Sequence, residues 1–225
     1  MDQLGKEQRN GELAISATEL FGVRYFDVKE AQVYEADPEQ LYYFKAYIGP
    51  QEIRVEAGDC VYFFSDELDL ARVKRGPCRI HSKHLATVVR GYMHPEASIS
   101  LSGVTTLPYV NGCSTKQLFP PLRQGDPTLQ YLRIPPYSKE QEHHIHSTVR
   151  VVLILRGRGI SVVGMEEKNF TRELRPGTVC IFDPMSPHHF ETPGPEPLVA
   201  LPLHVFSSVG HSERNHPMFN GTIVI

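Results

Sequence analysis

Residues 142–159, Glu142-His143-His144-Ile145-His146-Ser147-Thr148-Val149-Arg150-Val151-Val152-Leu153-Ile154-Leu155-Arg156-Gly157-Arg158-Gly159, leave a chain few ways to fold. The run of β-branched and aliphatic residues predicts a long strand that ends in a glycine turn. Side chains alternate faces along a strand, so His144, His146, Thr148 and Arg150 share one face. Two imidazoles two positions apart on that face lie close enough to share one metal ion. Without a ligand, the same histidines are only a polar strand end.

A second stretch adds to the first. Residues 175–190 run through a turn at Pro176-Gly177, a short apolar strand, a proline-rich bend at Pro184-Met185-Ser186-Pro187, and two more histidines, His188 and His189. Together the two stretches resemble the cupin superfamily. His144 and His146 fit the H-x-H of its first motif, and Gly157 fits the glycine that closes it. Gly177 and Pro184 fit the second motif, Ser186 stands where that motif has a second glycine, and His188 fits its metal-binding histidine. His189 takes that place if the bend holds one more residue. The resemblance spans about Asn111 to Phe206. It implies an all-β-dominated cupin fold, an antiparallel, jelly-roll-like β-barrel that holds a metal among inward side chains.

One departure from the family pattern matters more than the match. Where the first motif has its glutamate ligand, this chain has Arg150. An arginine stays protonated and offers only donors, so it cannot ligate. The implied site is therefore His144, His146 and His188 around one divalent ion, Fe2+ or Zn2+, with Cu2+ or Ni2+ also suited to such ligands. Three neutral donors leave the full charge of the ion, and an inward Arg150 adds another. That favours an anionic ligand such as the carboxylate of an amino or oxo acid. The plainer alternative pairs Arg150 with Glu173 or Asp183 as a structural contact.

Composition narrows the function classes. The 225 residues carry a net charge of -3 and offer no basic face for nucleic acid. No run is long enough to span a membrane, and residues 1–10 have no apolar signal core. Cys60, Cys78, Cys113 and Cys180 are scattered and do not form a disulfide framework, which suggests a reduced, cytoplasmic protein. The expected partner is a small molecule, not nucleic acid or membrane, and a homodimer is left open.

Taken in order, residues 1–107 read as an N-terminal α/β extension or cap, or as a degenerate second cupin half, and residues 108–225 as the metal-binding barrel. Ser16 to Glu19 is a weak capping box for a short helix, and Val23–Val28 is strand-like. Asp37-Pro38-Glu39-Gln40 predicts a helix that carries Leu41, Tyr42, Phe44 and Tyr47 and stops at Gly49-Pro50. Residues 51–55 and 60–64 predict a hairpin, and Asp66 to Arg75 a charged helix closed by Gly76-Pro77. His81 and His84, at odd separation, do not suggest a second metal site. In the C-terminal part, strands are expected at 116–119, 128–134, 160–165, 170–174 and 198–206. Tyr137 is placed at the mouth of the barrel and His204 in the pocket wall. The tail beyond Phe206 reads as a lid or a surface arm.

The resemblance implies chemistry as well. A three-histidine cupin is similar to the non-haem iron dioxygenases that act on thiols or β-diketones, with Arg150 and Tyr137 orienting an anionic substrate and Thr148 and His204 beside it. A redox-neutral zinc enzyme is the second reading. Residues 109–114 and 187–190 look somewhat like the cupin portion of hydrazine-forming synthetases, which rearrange an aminoacyl ester of a hydroxylamine into an N–N bond. The third reading is a ligand-binding or sensory cupin with no catalysis.

Overall fold

The computed structural model describes residues 20–36, 43–122, 125–139, 142–165 and 168–206. The first nine strands are β1 (Val23–Asp27), β2 (Gln32–Glu35), β3 (Phe44–Ile48), β4 (Gln51–Val55), β5 (Cys60–Phe64), β6 (Leu70–Arg75), β7 (Cys78–Ser82), β8 (Leu85–Val89) and β9 (Ala97–Ser100). Then come β10 (Leu107–Pro108), β11 (Ser114–Phe119), β12 (Thr128–Ile134), β13 (Ser138–Lys139) and β14 (Thr148–Arg156). The last five are β15 (Gly159–Met165), β16 (Lys168–Leu174), β17 (Thr178–Phe182), β18 (His188–Thr192) and β19 (Leu198–Phe206).

The strands stack in four layers. A sheet ordered β13-β18-β15-β16 faces a seven-stranded sheet, β1-β17-β14-β19-β12-β11-β10. Behind that lies a six-stranded sheet, β2-β3-β8-β5-β6-β9, and then the pair β4-β7. The two C-terminal sheets make a jelly-roll-like sandwich, the all-β architecture expected from the sequence.

β14 explains the layering. Both parities of its sequence are apolar, which a strand needs when both of its faces are covered. Val149, Val151, Leu153 and Leu155 join Phe44, Tyr62 and Leu85 in a core between the seven- and six-stranded sheets. Val152 and Ile154 join Val163, Phe182 and Phe190 in a core inside the sandwich. Thr148 and Arg150 have this second parity, so they face inward. Gly157 closes the strand at φ +79°, and a Cβ there would meet the Pro197 carbonyl. Only glycine fits that turn.

In the N-terminal half the described residues are strands and turns, apart from Leu20 and Phe21, which are helical. The helix expected over 37–49 is, in its described part, strand β3. Alternate residues Phe44, Ala46 and Ile48 are fully buried and β3 pairs with β8, so sheet pairing overrides the helical spacing. The helix expected over 66–75 is a turn and strand β6, which pairs with β5 and β9. The expected hairpin is also absent: β4 pairs with β7, and β5 with β6 and β8. The N-terminal unit encloses its own apolar core of Ile53, Val55, Val61, Phe63, Ile80, Ala86 and Val88. β1, earlier in the chain, pairs with β17 in the seven-stranded sheet. The capping box at 16–19, the helix start at 37–42 and the tail beyond Phe206 lie outside the described residues.

Candidate metal centre

The segment before β14 is not part of the long strand. It meets β18 through an antiparallel bridge, in which His144 N–H donates to His188 O (3.2 Å) and His188 N–H to His144 O (2.9 Å). The Met185 N–H donates to His146 O at 2.7 Å and ties the proline-rich bend to the same segment. These bonds bring His144, His146 and His188 together, with their ligating nitrogens all within 4.8 Å of one another. The ring centroids are 4.6 Å apart for His144–His146, 4.9 Å for His144–His188 and 5.4 Å for His146–His188. His189 points to the other face of β18, so the bend has the length that puts His188 inside.

Backbone carbonyls set the tautomers. His144 Nδ1 lies 2.9 Å from Glu142 O, and His188 Nδ1 lies 2.6 Å from Ser186 O. A carbonyl only accepts, so each Nδ1 carries the proton and each Nε2 presents a lone pair. The His144 and His146 Nε2 atoms are 2.8 Å apart. Phe182 stacks on the His188 ring, with centroids 4.5 Å apart, and fixes its plane.

The electrostatics keep the His146, His188 and His204 rings neutral. Burial, then the Arg150 charge, then His144 lower the His146 pKa to about 3. Burial and Arg150 push His188 lower still, and burial, Arg150 and His146 hold His204 well below the usual histidine range. Neutral imidazole is the ligating form. Two nitrogens on one ion at about 2.1 Å lie about 3–3.5 Å apart, a spacing these rings reach with small rotations. The donor set therefore fits a divalent first-row transition metal.

Arg150 and Thr148 are buried, with 2% and 5% of their surface exposed. Arg150 Nη1 donates to His188 Nε2 at 2.6 Å. Of the two acids considered for it from sequence, Glu173 pairs with Arg175 and Asp183 with Arg24. Thr148 Oγ1 lies 3.2 Å from His204 Nδ1. His146, Arg150 and His204 line a cavity of about 730 Å³ that opens toward β11 and β12. Thr115, Gln117, Gln130, Leu132, Leu107 and Tyr109 line much of the rest, and among the described residues none of the lining is a carboxylate. Lys116 also borders it, but Lys116 pairs across the sheet with Tyr131, whose side chain belongs to the opposite face.

Tyr137 does not belong to this site. It is 74% exposed, and its N–H donates to Gly194 O, past the end of β18 opposite His188. Sequence reasoning missed Gln117 and Gln130. They sit directly across from one another, and only the pairing of β11 with β12 brings them to the cavity. In the N-terminal half, His81 is exposed and the His84 ring bonds Asp66 O, with no metal cluster there among the described residues.

The family model for the cupin domain matches residues 130–206, from β12 through β19. Residues 130–206 are a cupin domain. Solved structures similar to the chain include a cupin 2 conserved barrel domain protein from Rhodopseudomonas palustris, 23% identical, covering 46% of this chain and 72% of that one at a TM-score of 0.40. An oxalate decarboxylase mutant from Bacillus subtilis is 10% identical, covering 80% of this chain and 76% of that one at a TM-score of 0.48. The 7S globulin of Momordica charantia is 11% identical, covering 80% and 83% at 0.49. A search of the curated proteins found no match. The cupin domain thus contains all three clustered histidines and Arg150. No helix among the described residues is long and apolar enough to cross a membrane.

Proposed function

We propose that the chain is a metal-dependent enzyme acting on a small anionic, amino-acid-like metabolite in a non-haem iron dioxygenase-type reaction. The observation that carries this reading is the buried Arg150 guanidinium, bonded to one of three clustered imidazoles at the wall of the cavity. Fe(II) held by His144, His146 and His188 would supply the redox chemistry that couples O2 to substrate.

The chain's own residues supply the rest. Arg150 accommodates the substrate's negative charge through charge-assisted hydrogen bonds, strengthened by its burial. Gln117 and Gln130 offer both donors and acceptors to the substrate's polar groups. Leu132 and Pro202 exclude water from one wall. Thr148 holds the His204 ring at the cavity edge.

The test is elemental analysis of protein purified without added metal, followed by oxygen uptake with a panel of amino and oxo acids. Iron and substrate-dependent oxygen uptake are expected. Zinc with no oxygen uptake would replace this reading with the redox-neutral, hydrazine-forming type. An empty site that binds acids without turnover would make the chain a ligand-binding cupin.

A further inference from the structure

A second imidazole pair lies outside the inner triad. His143 directly precedes the first inner ligand and His189 directly follows the last, so alternation turns both outward. Their Nδ1 atoms are 2.8 Å apart, with the rings edge-on at a centroid distance of 5.1 Å. The other two nitrogens are committed. His143 Nε2 lies 2.5 Å from the Gly164 carbonyl oxygen, and His189 Nε2 lies 2.8 Å from a Glu191 carboxylate oxygen. Both oxygens are acceptors, so both Nε2 atoms carry the ring proton. With both far nitrogens held by acceptors, the two Nδ1 atoms face each other at a separation that one shared cation bridges, a proton or, with the rings slightly parted, a metal ion.

We propose that His143 and His189 form a second metal site, for a divalent ion that favours imidazole: Zn(II), Cu(II) or Ni(II). Binding requires the two nitrogens to part to about 3–3.5 Å, given metal–nitrogen bonds of about 2.1 Å. His143 is exposed and precedes β14, so its ring can turn by that amount. The Glu191 carboxylate on the far nitrogen of His189 raises the basicity of that ligand, as outer partners of metal-bound histidines do. Water completes the coordination. An ion here joins the segment carrying His144 and His146 to the strand carrying His188.

The experiment is equilibrium dialysis against Zn(II) and, separately, Ni(II), with bound metal counted in wild type, His143→Asn, His189→Asn, His146→Ala and His188→Ala. Two equivalents are expected in wild type and one in each variant. His143→Asn changes an exposed side chain and keeps the fold, so its result stands even if His188→Ala fails to fold. A second equivalent that survives in both His143→Asn and His189→Asn overturns the proposal, as does a wild type that binds only one equivalent and loses it in His146→Ala. A single equivalent lost in His189→Asn but kept in His146→Ala and His188→Ala would instead overturn the inner site and leave this one standing.

Discussion

Arg150 Nη1 donates to His188 Nε2 across 2.6 Å, with both side chains almost wholly buried. The bond occupies the lone pair through which His188 would ligate. Arg150 and a metal ion therefore compete for one nitrogen, and an anion in the cavity that draws the guanidinium away favours the ion. From sequence alone Arg150 is expected to favour an anionic ligand and not to touch the metal's own ligands. The observed contact changes that expectation. Arg150→Gln is predicted to bind metal more tightly and a carboxylate more weakly, each by about 1.5–3 kcal/mol for a charge-assisted hydrogen bond. Calorimetric titrations with Zn(II), and with an oxo acid at matched metal occupancy, measure both. Weaker metal binding in the variant would make Arg150 a support of the site.

Acid should destabilise the metal-free protein. The His146 pKa falls from 6.5 to about 3 on folding, and that of His188 falls further. Below pH 6.5 the unfolded chain takes up protons that the folded one refuses, so stability declines as pH drops toward 3. Above 6.5 these groups add no pH dependence. Urea unfolding at pH 7.5, 6.0 and 4.5 should show a falling midpoint. A larger fall in His146→Asn than in wild type would contradict this source.

Much of this was legible in the sequence. Thr128–Ile134 and Leu198–Phe206 were read to the residue because each is a β-rich run bounded by proline or turn residues. The grouping of His144 with His146 was legible because H-x-H needs only local alternation, and the structure brings His188 beside them through a bend of the assumed length. The N-terminal half was not. Leu41, Tyr42, Phe44 and Tyr47 fit a helical spacing, and only pairing with β8 shows that Phe44 to Ile48 is a strand. Tyr137 was misplaced for a similar reason: sequence order puts it just ahead of the histidines, whereas the register of β13 on β18 carries it to the far end.

The two-faced burial of β14 makes a separable prediction. Leu153 points away from Arg150, into the core between the seven- and six-stranded sheets, and is fully buried. Leu153→Ala should cost about 2–5 kcal/mol of stability. Its metal stoichiometry should match wild type, since the cavity opens on the other face. Urea denaturation with metal counting checks both. A loss well under 1 kcal/mol would mean that the two halves do not share a core.

The outer pair should respond to Glu191. Glu191→Gln removes the carboxylate from His189 Nε2 and is expected to weaken the second metal equivalent by about 10-fold or more, leaving the first unchanged. Dialysis at graded Zn(II) concentration reads the two affinities. An equal loss at both sites would mean that Glu191 supports the fold of β18 instead.

The most direct measurement is metal stoichiometry in the His189→Asn background, where the outer pair is broken. Dialysis against Fe(II) under anaerobic conditions should give one equivalent in His189→Asn, and none when His188→Ala or His146→Ala is added to a chain that still unfolds cooperatively. One equivalent retained in both double variants would contradict a metal centre built from His144, His146 and His188.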